Sequence, residues 1–479
     1  MKNLTKTALN LLLIGAVLGG CKKNAEEPVV PIAPVAPEST LVELSGNITT
    51  RTLDATKKYL LKGQVFVQDG QTLTIPAGTI IFGEKRTKGT LIINRGGKLI
   101  ANGTVDKPIV FTSNQLPGDR DRGDWGGLIL LGRASCNQID PAIEGIDPAV
   151  FFGANPANVT SDKVAIENDN SGSLKYVRVE FAGIEISPNN ETNGITMGGV
   201  GRGTVMEYCM VSYGGDDAYE WFGGTINGKY LIVHSTWDDC FDVDFGWSGN
   251  VQFGVAVRYP SYADQSGSNT FECDNGPNDN DVQPYTTGTF SNITGIGPIK
   301  NGTSIPNGNF QHSLDLRRRT AVSIFNSVFT GFPRGLRFNQ SSVLSQYTSG
   351  RGVLANNVLI CPTTATTYQA GTGVNVNDVS AYWLTNNTTV SGAYTDAQYT
   401  TLGINPDLIF GTRLDTDYPA NPAFEVTSGT IATGAAFTNA KFSEANRTGF
   451  FTNVTYRGGF GSTDWTNGWS EWRPVDKAY

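Results

Sequence analysis

Beyond residue 40 the chain alternates short apolar runs with polar, glycine-containing turns. The runs include Val65-Phe66-Val67, Leu73-Thr74-Ile75, Ile80-Ile81-Phe82, Leu91-Ile92-Ile93, Leu99-Ile100 and Ile109-Val110-Phe111. Asp69-Gly70, Pro76-Ala77-Gly78, Gly96-Gly97 and Asn102-Gly103 separate them. Runs rich in β-branched and aromatic residues, bounded by such turn residues, predict strands. At this density no segment is left for crossover helices. The strands must form either hairpins or the stacked coils of a solenoid.

The middle of the chain favours the solenoid. The segment from Gly214 to Gly224, with Asp216, Asp217 and Glu220, is repeated from Thr236 to Gly246, with Asp238, Asp239 and Asp242. Equivalent residues, including Val211 and Val233, are 22 positions apart. Leu174–Val179 and Val205–Val211 form a further related pair across a longer insertion. A fixed period with several short strands in it matches one coil of a parallel β-helix. Such a coil cannot bury its own inner face and is stabilised by its neighbours. Strands of adjacent coils lie about 4.8 Å apart, so residues one period apart become neighbours. The predicted fold is therefore all-β, a right-handed parallel β-helix solenoid with coils of about 22 residues and loop insertions. Residues 41–479 form it as a single body. Asn326, Asn356 and Asn357, beside apolar runs, are either stacked at coil turns or ordinary loop residues.

Composition agrees and narrows the partners. The chain has 57 glycines among 479 residues, and 36 basic against 44 acidic side chains. It carries no block of five or more basic residues, which argues against nucleic acid as a partner. Five cysteines follow Cys21 (Cys136, Cys209, Cys240, Cys273 and Cys361) without metal-binding spacing. They read mainly as buried small hydrophobes.

The first forty residues carry an address. Lys2 and Lys6 precede the apolar stretch Ala8–Leu18, which is too short to span a membrane and has the form of a signal-peptide core. Leu18-Gly19-Gly20-Cys21 resembles the lipobox of bacterial lipoproteins. Residues 1–20 are thus expected to be a lipoprotein signal peptide, with Cys21 acylated and anchored in outer-membrane lipid. Residues 21–40 complete the anchor with a stalk, in which Pro28, Pro31, Pro34 and Pro37 favour extended geometry.

Several stretches are similar to a widespread family of Bacteroidetes lipoproteins with a right-handed β-helix-like body. They include Ile75–Ile81, Gly97–Thr104, Gly123–Gly132, the two Asp-Asp coils and Tyr456–Gly461 with Asp464-Trp465. The resemblance implies a lipid-anchored protein of the outer membrane, and the charged stretch Lys22–Glu27, loosely similar to the surface-export tag of such lipoproteins, favours the cell surface over the periplasmic face. Lys23 departs from the acidic export tag of such proteins. The family carries no secure activity.

Candidate chemistry centres on the repeated acids. Stacking brings Asp216, Asp217, Glu220, Asp238, Asp239, Asp242 and Asp244 into one band. Carboxylates that close need a cation or raised pKa values, and calcium, which takes six to eight oxygens, suits them. The blander alternative is a solvated acidic face. Tyr219, Trp221, Trp237 and Trp247, joined by Trp125 and Tyr213, are either a sugar-stacking platform or core residues. Carboxylates on successive coils also fit a glycosidase or a calcium-assisted lyase. However, the chain has only His234 and His312, and the Gly-His-Gly and Arg-x-Lys elements of polygalacturonase-like enzymes are missing. Arg317, Arg318 and Arg319 follow Asp242 by about 75 residues, several coils on at a 22-residue period, and pair most simply with Asp315. Arg122-Gly123-Asp124, an integrin-type tripeptide, reads as chance. The expected role is non-catalytic binding to glycan or an outer-membrane partner protein, with β-helix lyase or glycosidase activity as the alternative.

Overall fold

The computed structural model describes residues 41–146, 148–159, 164–187, 190–405 and 418–479. The expected signal peptide, Cys21 and the stalk lie outside them. Successive coils lay their strands side by side in one continuous parallel arrangement, closed into three faces. The first face runs from Val42–Ser45 and Lys58–Leu61 through Ile80–Gly83, Ile109–Ser113 and Val358–Cys361 to Thr388–Ser391. The second starts at Arg51–Thr52, continues through Thr72–Ile75 and Lys98–Asn102, and ends at Leu354–Ala355. The third runs from Gly46–Ile48, Gln64–Val67 and Thr90–Ile93 to Tyr368–Thr372. The 22-residue period survives where no loop intervenes. Glu220 lies opposite Asp242, Met210 opposite Ile232 and Asp315 opposite Arg337.

Inside the tube, like residues stack because each coil offers the same inward positions to the next. The rings of Tyr219 and Phe241 stack with centroids 5.9 Å apart, and those of Phe241 and Phe271 5.1 Å apart. Tyr219, Trp221, Trp247 and Trp125 are fully buried and Tyr213 nearly so. The platform expected of Tyr219, Trp221 and Trp247 is therefore corrected: alternation of side chains along the strand sends Tyr219 and Trp221 into the core, and Trp247, from the segment after Asp244, packs against Trp221 and Phe290 there. Trp237, on a turn, is 39% exposed. All five described cysteines are buried and unpaired.

One turn, between the second and first faces, is left-handed in coil after coil. Tyr176, Tyr208, Tyr230, Phe253, Asn292 and Asn326 have φ between 49° and 63° there. Bulky side chains pay strain in this region, and here it is offset by ring stacking at 4.5, 4.3 and 5.1 Å along the first four. Asn357 is in a hydrogen-bonded row, as one of the two alternatives had it: its Oδ1 accepts from Ser327 N at 2.9 Å, and its N–H donates to Asn387 Oδ1 at 3.0 Å. Asn326 instead holds the C-terminal segment, exchanging bonds with Ala436 at 2.9 and 3.2 Å.

That segment, residues 418–479, returns along the solenoid as a strap. Thr452 bonds Gln252, Tyr456 bonds Asn292, and Trp469 packs edge-on against Tyr176 and Tyr208. At its end the Tyr479 hydroxyl donates to the buried Glu180 carboxylate, 2.6 and 2.7 Å from its two oxygens, beside Arg178. The helix Val376–Asn386 buries Val379 and Trp383.

Candidate metal and ligand site

The outward positions of the third face form one continuous register. Phe66, Ile92, Ile129, Thr196, Glu220, Asp242, Glu272, Asp315 and Arg337 succeed one another coil by coil. The row thus changes from apolar to acidic to basic along the solenoid. Its apolar start is covered by Ile143, Ile146 and Phe152 of the long excursion after Leu131. Its acidic middle is the predicted band.

The turn leading into these strands builds a second row. Asp217 N donates to Asn193 Oδ1 at 3.2 Å, Asp239 N to Asp217 Oδ1 at 2.7 Å, and Asn269 N to Asp239 Oδ1. His312 N then donates to Asn269 Oδ1 at 2.8 Å. Asp217 and Asp239 therefore each commit one oxygen to holding coils in register and keep the other for the band. Three overlapping groups bring carboxylate oxygens within 4.8 Å of one another: Asp216, Asp217 and Asp238; Asp217, Glu220 and Asp242; and Asp239, Asp242 and Glu272. These are sets that could hold a metal ion.

Six of the seven predicted acids are thereby brought together. Asp244 falls outside the three groups; its Oδ1 accepts from Phe245 N at 2.6 Å. Glu272 was missed because an insertion stretches its coil to 30 residues from Asp242. Its signal was present: Phe271-Glu272-Cys273-Asp274 repeats Phe241-Asp242-Val243-Asp244. Glu144 was also missed and had no such signal. It reaches the band from the excursion, accepting at 3.0 Å from Asn193 Nδ2, which also donates to Glu220.

Burial, then mutual repulsion, pushes the carboxyls of Asp216, Asp217, Glu220, Asp239 and Asp242 well above the ordinary range. Burial also raises Asp238, against the bond from Ser266. The band is a place where a divalent cation would replace protons.

The first of the three groups opens on a cavity of about 880 Å³. The hairpin around Glu185–Glu191 lines it on one side, with Asp264, Gln265 and Ser266 on another, and exposed Trp237. The Ser266 hydroxyl lies 2.6 Å from Asp238 Oδ2 and 2.7 Å from Asp264 Oδ2. Asp238 Oδ1 is buried with no hydrogen-bond partner among the described residues.

The cations around this site are engaged. Lys85 pairs with Asp124 at 2.6 Å, and Lys88 donates to the carbonyls of Glu185 and Ile186 at 2.9 and 2.8 Å. The Arg122 guanidinium sits 3.5 Å over the Tyr262 ring and donates to Ser235 O at 3.0 Å. With Asp124 fully buried, the integrin-type tripeptide is not presented to a partner. Arg317 is closer than its sequence distance implied, because loops fill the intervening chain: Asp242, Glu272 and Asp315 occupy three consecutive coils. It pairs with Glu272 and bidentately with Asp274, at 3.0 and 2.6 Å, while Arg318 also holds Asp274. Asp315 pairs instead with Arg337. Burial works against the charge on Arg317, but its bonds to Asp274 and the nearby carboxylates outweigh it and raise the guanidinium above its ordinary value. His234 lies buried under the strap, against the Trp472 carbonyl, and burial lowers it to about 3.

Fold and site together define a parallel β-helix with an acidic outer band opening on a cavity. The chain belongs to the pectate-lyase-like beta helix domain family, whose profile matches residues 46–405. Comparison with curated proteins and with solved structures gave no match. Among the described residues no helix is long and apolar enough to cross a membrane.

Proposed function

We propose that this is a lipid-anchored outer-membrane surface protein, tied through Cys21, whose β-helix binds a glycan without cleaving it. A calcium ion held by Asp216, Asp217 and Asp238 would order the floor of the cavity. The carrying observation is the junction of that carboxylate group, with its partnerless Asp238 Oδ1, and a cavity with Trp237 exposed. A cation there removes the repulsion among buried acids, and Trp237 offers an indole face to a sugar ring. The engagement of Lys85, Lys88, Arg122 and Arg317 supports binding over lyase chemistry, which needs a free proton acceptor.

The test is calorimetric titration of residues 22–479 with calcium, repeated on Asp238→Asn. Saturable heat in the wild type and its loss in the variant are expected. Absence of heat, with a melting temperature indifferent to chelator, would remove the cation from the reading. The placement of Arg317 beside Glu272 keeps a lyase as the second reading. Calcium-dependent release of unsaturated sugars from an acidic polysaccharide would establish it.

A further inference from the structure

Far along the first face, a second cavity of about 280 Å³ lies outside the tube. Its walls are the strands Val358–Cys361 and Thr388–Ser391, the helix Asp396–Leu402, and Thr430 and Arg457 of the strap. Leu359 points into the main core while Val358 and Ile360 point outward and are buried beneath this cover. Outward strand positions are normally polar; here they are apolar, and the cover does not fill the space above them.

Among the described residues the charged side chain in this wall is Arg457. Its guanidinium packs over Gly434, where any side chain would collide with it. It makes no ion pair or hydrogen bond with the described residues, and its Nε is buried without a partner. Burial also lowers its pKa. The side chain is half-buried beside an apolar cavity and has no acceptor among the described residues, so an anion entering there would find an unpaired guanidinium. Among the described residues no carboxylate lines the cavity.

We propose that this cavity binds a small amphipathic anion, an apolar chain or ring bearing one carboxylate that pairs with Arg457. Its volume of about 280 Å³ is just below the usual range for ligand pockets, about 300–1,000 Å³, which selects a compact ligand. The site shares no residue with the acidic band and does not depend on a cation there.

Octanoate is the probe, titrated by calorimetry into the full chain, with octanol and octylammonium as neutral and cationic counterparts. Ala397→Trp, on the exposed side of the helix, fills the cavity; Arg457→Leu removes the charge and Arg457→Lys restores it. Octanoate is expected to bind saturably, about tenfold or more tighter than octanol, and octylammonium weakest. Arg457→Leu should erase the preference, Arg457→Lys should recover part of it, and Ala397→Trp should abolish binding with the melting temperature unchanged. Equal binding of octanoate and octanol, binding that survives Ala397→Trp, or no saturable heat at millimolar octanoate would each overturn the proposal.

Discussion

Asp239 separates the two roles the band combines. It is 3% exposed, its Oδ1 accepts from Asn269 N, and its own N–H donates to Asp217 Oδ1 at 2.7 Å. Asp239→Ala leaves the Asn269 N–H buried without a partner, a loss of about 1–3 kcal/mol. Asp239→Asn keeps the acceptor, and the same turn already accommodates Asn269 in the next coil and Asn193 two coils before. It also removes one charge from beside Asp238 and Asp242, which burial and repulsion make unfavourable. In chelator, then, urea unfolding followed by tryptophan fluorescence should place Asp239→Asn at or above the wild type. Asp239→Ala should fall below it by about 1–3 kcal/mol. The alanine penalty should persist at saturating calcium, because it comes from the backbone row and not from the ion. If asparagine is as damaging as alanine, Asp239 does not act through its acceptor oxygen; if alanine is neutral, the row contributes nothing.

Stability should depend on pH with an unusual sign. Asp216, Asp217, Glu220, Asp239 and Asp242 have folded pKa values raised above the 3.8 and 4.5 of free carboxyls, so the folded chain holds the extra protons. Their contribution is complete below those values and is lost as pH rises through the raised ones. Melting of the cation-free protein should therefore fall from pH 4 towards neutrality, and calcium should flatten the slope; a melting temperature that rises over that range without calcium would contradict the raised values. Calcium at a hundredfold excess over its Kd should add about 2.7 kcal/mol at neutral pH, read as a shift in the urea midpoint. Phe241→Ala opens the ring stack between Tyr219 and Phe271 and should cost about 3–5 kcal/mol in the same assay. Tyr479→Phe removes the bond to Glu180 and should cost about 1.5–3 kcal/mol, with earlier proteolytic cleavage of the strap; an unchanged digestion pattern would show that the latch is not at Tyr479.

The period of 22 residues determined the parallel β-helix from sequence, because backbone bonding between coils forces equivalent positions to meet. It also brought six of the seven named acids into one band. Strand alternation was legible too: with Glu220 and Asp242 outward, Tyr219, Trp221 and Phe241 had to face inward, so two of the expected platform residues were assigned against the chain's own parity. What the period could not carry was loop length. Parallel pairing ignores how many residues a loop holds, so Glu272 and Arg317 drop into register after insertions that hide them in the sequence. Groups delivered by loops and strap carry no periodic signal at all. Glu144, Ser266 and Tyr479 reach their partners from remote positions, and only tertiary packing, which fixes where each excursion lands, decided that the band opens on a cavity and that the strap is held at Glu180.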